Sequence, residues 1–351
     1  MLINKTGKTA VILTYPGIGD IVWHLPFLHG LAKVSKDKKI YLYTRSTTLA
    51  KEILKYDKKV AKVFYLSETR KFLNTLINFP RLVNNFKKQK FTTLWIFHRS
   101  PRYAIAGRLS KIKKIYGFGF GTQKVWLTSK KNIGNSSKKK NNVFKAKKFM
   151  NIHGIDFKLY PEIFLPRKII EKNVLQFSKY PKPWITIGFS CNKTAFMDKN
   201  IPYSFYRTWR GEYFSKLINF VLRKKGKKTI FLIGAPNERK IAKSIIEKCL
   251  HKKKILVSCN SIIKNLSIMT KSKCFIGNDS GPLNLAGALN IKSFGLFGAS
   301  PPIKHVKNIF PIVPPGGAVD PHKYGFNPIS LEKGMDLIKP ELVYEKIKNY
   351  I

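Results

Sequence analysis

Acidic residues are scarce in this 351-residue chain: 18 Asp and Glu stand against 67 Lys and Arg, a formal net charge of +49. So few carboxylates leave no clustered Asp/His set for a divalent cation, and no cofactor is expected. Cysteine is scarce too. Cys191, Cys249, Cys259 and Cys274 have no paired spacing, which excludes a disulfide framework and a zinc ribbon and predicts reduced thiols in a cytoplasmic protein. No apolar run approaches the ~20 residues that span a bilayer. No signal peptide is recognised, because a core strand begins almost at the N-terminus. The positive excess is mostly lysine, accompanied by abundant Asn and Ile, as AT-rich codons would give. Its scatter along the chain argues against a nucleic-acid-binding arm, and no nucleic-acid partner is expected. Attraction to an anionic membrane or an acidic glycolipid remains open.

What is present is an alternation of short apolar strands and helices. An apolar content of 44% suffices for packed cores, and the length favours two domains. Strands are predicted at Val11–Thr14, Ile40–Tyr43, Val63–Leu66 and Leu94–Phe97. They recur at Trp184–Phe189, Thr229–Ile233, Ile255–Val257, Cys274–Ile276 and Ser293–Phe297. The intervening helices include Ile21–Val34, Tyr103–Leu109, Val143–His153, Tyr213–Lys224 and Glu238–Cys249. Strands separated by helices imply parallel β–α units, so each half reads as a doubly wound α/β domain. Residues 130–142, rich in Lys, Asn, Ser and Gly, read as a surface loop. The prolines of Lys179–Pro183 mark the end of a linker. The expected division is 1–165, a linker 166–183, 184–339, and a closing helix 340–351.

Two strand-to-helix turns carry the chemistry. In Gly277-Asn278-Asp279-Ser280-Gly281-Pro282, three helix-capping side chains precede a proline suited to the first helical position. Unpaired amides and the helix dipole make such a turn an anion site, although an ordinary capped turn has the same composition. Near the N-terminus, Pro16-Gly17-Ile18-Gly19-Asp20 follows the first strand. It lacks the third glycine of the dinucleotide fingerprint. A carboxylate beside a diphosphate is unfavourable, so Asp20 is suited to touching a hydroxyl or accepting a proton. Capping its own helix is the alternative.

Together these turns resemble glycosyltransferase family 9, the lipopolysaccharide heptosyltransferases and their relatives. The resemblance rests on Gly17-Ile18-Gly19-Asp20 with Pro26, and on Asn278–Pro282 with Leu285-Ala286. Three further segments follow in family order: Arg207-Thr208-Trp209 with Glu212 and Phe214, Leu232–Glu238, and Leu296–Pro301. It spans roughly residues 8 to 350. It implies an α/β fold of the GT-B type, two Rossmann-like doubly wound parallel-sheet domains facing a central cleft, with the last helix crossing back to the first domain. It further implies an inverting transfer from a nucleoside-diphosphate sugar, such as ADP-heptose, without an obligatory metal.

Under that resemblance Asp20 is the general base. The donor would be held by Arg207, Glu238, Asn278, Asp279, Ser280 and Gly281. Gly19, His24, Arg99 and Arg102 would meet the acceptor, an acidic glycolipid at the cytoplasmic face of the inner membrane. Three departures stand out. His24 replaces a common Thr, Arg207 replaces Lys with a bidentate fork, and Asn284 replaces a His. Packing alternatives stand beside His24 and Trp209, a helix-start role beside Glu238, and a solvated basic loop beside His98, Arg99 and Arg102. Phe72, Leu73, Leu76, Ile77 and Phe79, with flanking basic residues, form a candidate membrane-facing helix or an ordinary amphipathic one. Two other functions stay open: a basic nucleic-acid-binding protein on an α/β scaffold, and another GT-B enzyme such as a sugar-nucleotide epimerase.

Overall fold

Apolar segments of four to seven residues become parallel strands here because helices bury both faces of the sheets they form. The computed structural model describes residues 7–67, 72–191, 207–224, 226–298, 300–318 and 334–351, with residues 72–76 described as backbone only. It divides into two compact units, Met1–Pro161 and Glu162–Ile351.

The first unit holds β1 (Thr9–Ile12), α1 (Ile18–Val34), β2 (Ile40–Arg45), α2 (Ala50–Ile53), β3 (Val60–Leu66) and α3 (Phe72–Gln89). It continues with β4 (Thr93–Ile96), α4 (Arg102–Leu109), β5 (Lys114–Gly117), α5 (Gln123–Trp126) and α6 (Asn142–Ile152). Its five strands run in the order β3-β2-β1-β4-β5, all parallel. The chain starts in the middle, builds one side, then crosses over and builds the other. The topological switch point therefore lies between β1 and β4, where ligands of open α/β sheets bind, beyond the strands' carboxyl ends. In the candidate membrane-facing helix α3, Phe86 is 1% exposed, and Phe79, Leu82 and Val83 pack against the unit's core. Phe72, Leu73 and Leu76, part of the same expectation, have side chains outside the described residues.

The second unit holds α7 (Arg167–Val174), β6 (Trp184–Gly188), α8 (Gly211–Arg223), β7 (Thr229–Gly234), α9 (Arg239–Glu247) and β8 (Ile255–Cys259). After these come α10 (Ile262–Thr270), β9 (Ser272–Asn278), α11 (Gly281–Ala288), β10 (Ser293–Leu296), β11 (Ile309–Ile312) and α12 (Pro340–Ile347). The strand order is β11-β10-β9-β6-β7-β8, again all parallel, with its switch point between β6 and β9. There the strands come so close that a Cβ on Gly277 would lie 2.6 Å from the Gly188 carbonyl oxygen. Side chains are excluded from this pair, and the strand ends stay in register.

Two strands escape the sequence pattern. β5 has only four residues and starts with a lysine. β11 contains Pro311, opposite Gly295. Both are edge strands, where a charge or a missing N–H costs little. The stretch expected as a linker contains α7, which packs on α10 and bonds to it from Asn173 Nδ2 to Ser267 Oγ (3.1 Å). The closing helix α12, expected to cross back to the first domain, buries Val343 and Ile347 in the second unit's core and packs on α8.

Candidate active site

In the first unit, Gly17 caps α1 and Asp20 occupies its third position. The Asp20 Oδ2 atom accepts the Gly17 N–H at 3.0 Å. The turn thereby fixes the carboxylate on the first helical turn, where the helix dipole favours negative charge. Burial, with the Asp20 charge second, pushes the Tyr15 phenol well above its ordinary range. Gly19 precedes Asp20 on the same turn and is partly exposed.

His24 sits one turn further on. Its Nδ1 donates to the Asp20 carbonyl oxygen at 2.6 Å, so Nδ1 carries a proton. The ring is wholly buried among Tyr15, Phe27 and Phe97. It therefore offers no surface to an acceptor, contrary to the contact expected from the sequence; it braces the turn that carries Asp20.

Arg99 and Arg102 follow β4, across the switch point from β1, and both are exposed. Between them the loop is fixed by Gln123, whose Nε2 donates to the carbonyls of His98 (2.7 Å) and Ser100 (3.1 Å). Burial, with Arg102, Arg45 and Arg99 adding to it, lowers the pKa of His98 to about 4. Burial and the Arg99 charge also lower that of Lys145. The structure thus gathers Arg45 and Lys145, from β2 and α6, to the two predicted arginines. Among the described residues no carboxylate pairs with any of the four. Sequence reasoning missed Arg45 and Lys145 because they lie 54 and 46 residues from Arg99; Arg45 stands two residues beyond the predicted strand Ile40–Tyr43. Arg102 and Tyr103, with Arg81, Tyr43 and Phe64, also line a recess of about 280 Å³.

In the second unit, the expected donor residues converge at the carboxyl ends of β6, β7, β9 and β10. Asn278 ends β9 fully buried. Its Nδ2 donates to the Phe189 carbonyl and its Oδ1 accepts the Trp209 N–H, both at 3.0 Å. The amide that the sequence offered to a donor is spent on bridging the switch point. Asn278 holds the strand ends and the Arg207–Arg210 segment together.

Asp279 follows, 5% exposed, and its Oδ2 accepts from Arg207 Nη1 (3.0 Å) and from Ser300 Oγ. The Arg207 side chain remains 53% exposed, so its other N–H groups face outward. Ser280 caps α11 without a side-chain capping bond, and its Oγ is buried with no hydrogen-bond partner among the described residues. The Ser280 and Gly281 amides stand at the helix start, where no intrahelical carbonyl exists for them. Gly281 and Pro282 open the helix, as the sequence requires.

Glu238 is 8% exposed. Its Oε2 accepts from Ser190 Oγ and from the Ala235 N–H, both at 2.7 Å. It closes the turn after β7 onto the end of β6, the helix-start role weighed against ribose binding. Trp209, 1% exposed, is a core residue whose Nε1 donates to the Ile338 carbonyl (2.7 Å). Arg210 grips Asp336 through two bonds of 2.7 and 2.6 Å. These two contacts stitch the Arg207 segment to residues 336–338. Ala299, within the expected Leu296–Pro301 segment, lies outside the described residues. Among the described residues, no group of three or more His, Cys, Asp or Glu could hold a metal ion.

Comparison with known proteins gives this arrangement a context. Residues 203–311 match the family model "Glycosyltransferase family 9 (heptosyltransferase)" and include every expected donor residue. No curated protein sequence matches the chain. Among solved structures, the ADP-heptose lipopolysaccharide heptosyltransferase II of E. coli superposes with a TM-score of 0.72 at 14% identity, over 98% of both chains. A family 9 glycosyl transferase of Veillonella parvula gives 0.73 at 13% identity, over 99% of this chain and 98% of that one. E. coli heptosyltransferase WaaC with ADP-2-deoxy-2-fluoro heptose gives 0.64 at 16% identity, over 98% of this chain and all of that one. At such identities the structures establish a shared fold alone, two parallel-sheet α/β domains, and the family model matches less than a third of the chain. Residues 203–311 of this chain are thus similar to glycosyltransferase family 9, the heptosyltransferase family.

Proposed function

We propose that the protein is an inverting glycosyltransferase. It moves a sugar, a heptose in this reading, from a nucleoside diphosphate to an acidic glycolipid of the lipopolysaccharide core or a related envelope glycan. It works as a peripheral protein on the inner face of the cytoplasmic membrane, with Asp20 as general base. One observation carries the reading: the two sequence-distant residue sets each emerge at the topological switch point of their own sheet. One supplies a helix-start carboxylate and, on the next strand's loop, cations with no carboxylate partner among the described residues. The other supplies a helix start with a buried serine hydroxyl and an exposed arginine. WaaC has been solved with ADP and with a fluorinated ADP-heptose, which supports ADP-heptose as the donor here.

In the reaction, the acceptor hydroxyl oxygen attacks the anomeric carbon and its proton passes to the Asp20 carboxylate. The bond from that carbon to the diphosphate oxygen breaks, and its electron pair leaves with the nucleoside diphosphate. The Ser280 and Gly281 amides, the Ser280 hydroxyl and Arg207 stabilise the charge that develops on the diphosphate. Asp279 holds Arg207 in place and accepts from donor hydroxyls. Arg99 and Arg102, with Arg45 and Lys145, receive the acidic acceptor.

The test is release of ADP from ADP-heptose by the purified protein, with and without an acidic core glycolipid. Release that requires the glycolipid supports the reading. Equal release without acceptor, or no shift in Tm with any nucleoside diphosphate or sugar nucleotide, overturns it.

A further inference from the structure

The acidic residues are not evenly thinned along the chain. From 69 to 155 there is no Asp or Glu at all, while the same 87 residues contain 21 Lys and Arg. This run builds α3, β4, α4, β5, α5 and α6, the half of the first sheet on the β4–β5 side and its covering helices. Scattered lysines elsewhere have carboxylates among them; here the surface carries one sign.

At the β5 edge of this half, three apolar side chains stand in solvent: Leu109 at 53%, Val125 at 71% and Trp126 at 39% exposure. They are held rigidly. Arg108, on the last turn of α4, donates from Nε to the Trp126 carbonyl (3.0 Å) and from Nη2 to the Leu127 carbonyl (2.9 Å). Thr128 then pairs with edge strand β5, its N–H donating to the Ile115 carbonyl (3.0 Å) and its Oγ1 accepting the Ile115 N–H (2.6 Å). Lys111, Lys113, Lys114, Lys124, Lys130 and Lys131 lie in the same segments, and all six are exposed. Among the described residues, none of them takes part in an ion pair.

We propose that this corner is the protein's docking surface for an anionic phospholipid bilayer. Trp126, Val125 and Leu109 enter the boundary between headgroups and acyl chains, and the lysines contact lipid phosphates. A nucleic-acid backbone would reward the cations but leave Leu109 and Val125 in water. A bilayer rewards both, and tryptophan favours the interface. The inference rests on the peripheral-membrane part of the function proposed above and gives it a location. It assigns the docking surface to the β5 edge, not to α3, whose described apolar residues largely face the core.

The experiment uses the full chain with vesicles of phosphatidylcholine alone and vesicles rich in phosphatidylglycerol. Binding is followed by co-sedimentation and by quenching of tryptophan emission with brominated acyl chains. Trp95, Trp184 and Trp209 are at most 2% exposed, so Trp126 is the most accessible of those four reporters. The expected result is salt-sensitive binding to the anionic vesicles only, with quenching. Trp126→Ala and Val125→Asp should each weaken binding about tenfold, by removing interfacial apolar area. Lys113→Gln with Lys124→Gln, distant from any core, should weaken it without changing Tm. Absence of binding to anionic vesicles, or variants that bind like the wild type, overturns the proposal. So does tight duplex-DNA binding without quenching on vesicles, which assigns the surface to nucleic acid. Turnover on a water-soluble acceptor fragment separates the two readings: loss of vesicle binding with unchanged turnover leaves the transferase intact, and the reverse leaves the docking surface intact.

Discussion

The two switch points share a topology and differ in chemistry. In the second unit the functional groups are woven into buried polar contacts: Asn278 to Phe189 and Trp209, Glu238 to Ser190 and Ala235, Asp279 to Arg207 and Ser300. In the first unit the Asp20 carboxylate accepts the Gly17 amide, and Arg45, Arg99, Arg102 and Lys145 have no carboxylate partner among the described residues. The parallel sheet decides where a ligand can sit; the turn residues decide what kind. Under the proposed function, the interlocked turns of the second unit would hold a diphosphate in one pose. Under the same proposal, the cationic loop would receive a large acidic molecule and the Asp20 carboxylate would take one proton from it.

Substitutions on the two sides should therefore fail differently. The largest effect is expected from Asp20→Asn, which keeps the bond from Gly17 but cannot take a proton. Its kcat should fall about 10²- to 10⁴-fold while calorimetric donor affinity stays near that of the wild type. Near-normal turnover would remove Asp20 from its role and erase the contrast. In the second unit, Arg207→Ala should weaken nucleoside-diphosphate binding roughly tenfold or more, the scale of a lost charge-assisted bond. Unchanged Kd would take Arg207 out of the site.

Asn278→Ala sharpens the structural half of the comparison. It leaves a buried N–H on Trp209 and a buried carbonyl on Phe189, so stability should fall by about 3 kcal/mol, read from denaturant melts. A loss of donor affinity with unchanged stability would instead return Asn278 to ligand binding.

A further effect is in pH. Burial holds both His98 and His153 of the first unit at a pKa of about 4, against 6.5 when unfolded. Their neutral forms stabilise the fold fully above pH 6.5, and that contribution is lost as pH falls from 6.5 toward 4. Acid should weaken the first unit, with amide exchange in β4 and α6 rising before exchange in β6 and β9. His153→Phe, placed among Trp95, Tyr116 and Phe149, should flatten part of that slope in Tm.

The chain's one-dimensional pattern was enough for the alternation of strands and helices, because strands covered on both faces must be apolar throughout. It was enough for both site turns as well, because an Asn-Asp-Ser-Gly-Pro run and a Gly-Ile-Gly-Asp run are local solutions to starting a helix. It did not reveal β5 or β11, whose edge positions tolerate the lysine and proline that hide them. Nor could it say that the Asn278 amide faces inward, that His24 is enclosed by aromatic rings, or that Arg45 and Lys145 join Arg99 and Arg102. Those facts depend on which strand ends become neighbours when the sheet crosses over between β1 and β4 or between β6 and β9. Local sequence encodes hydrogen-bonding capacity; the tertiary fold alone decides whether that capacity is used up inside the protein or left for a ligand.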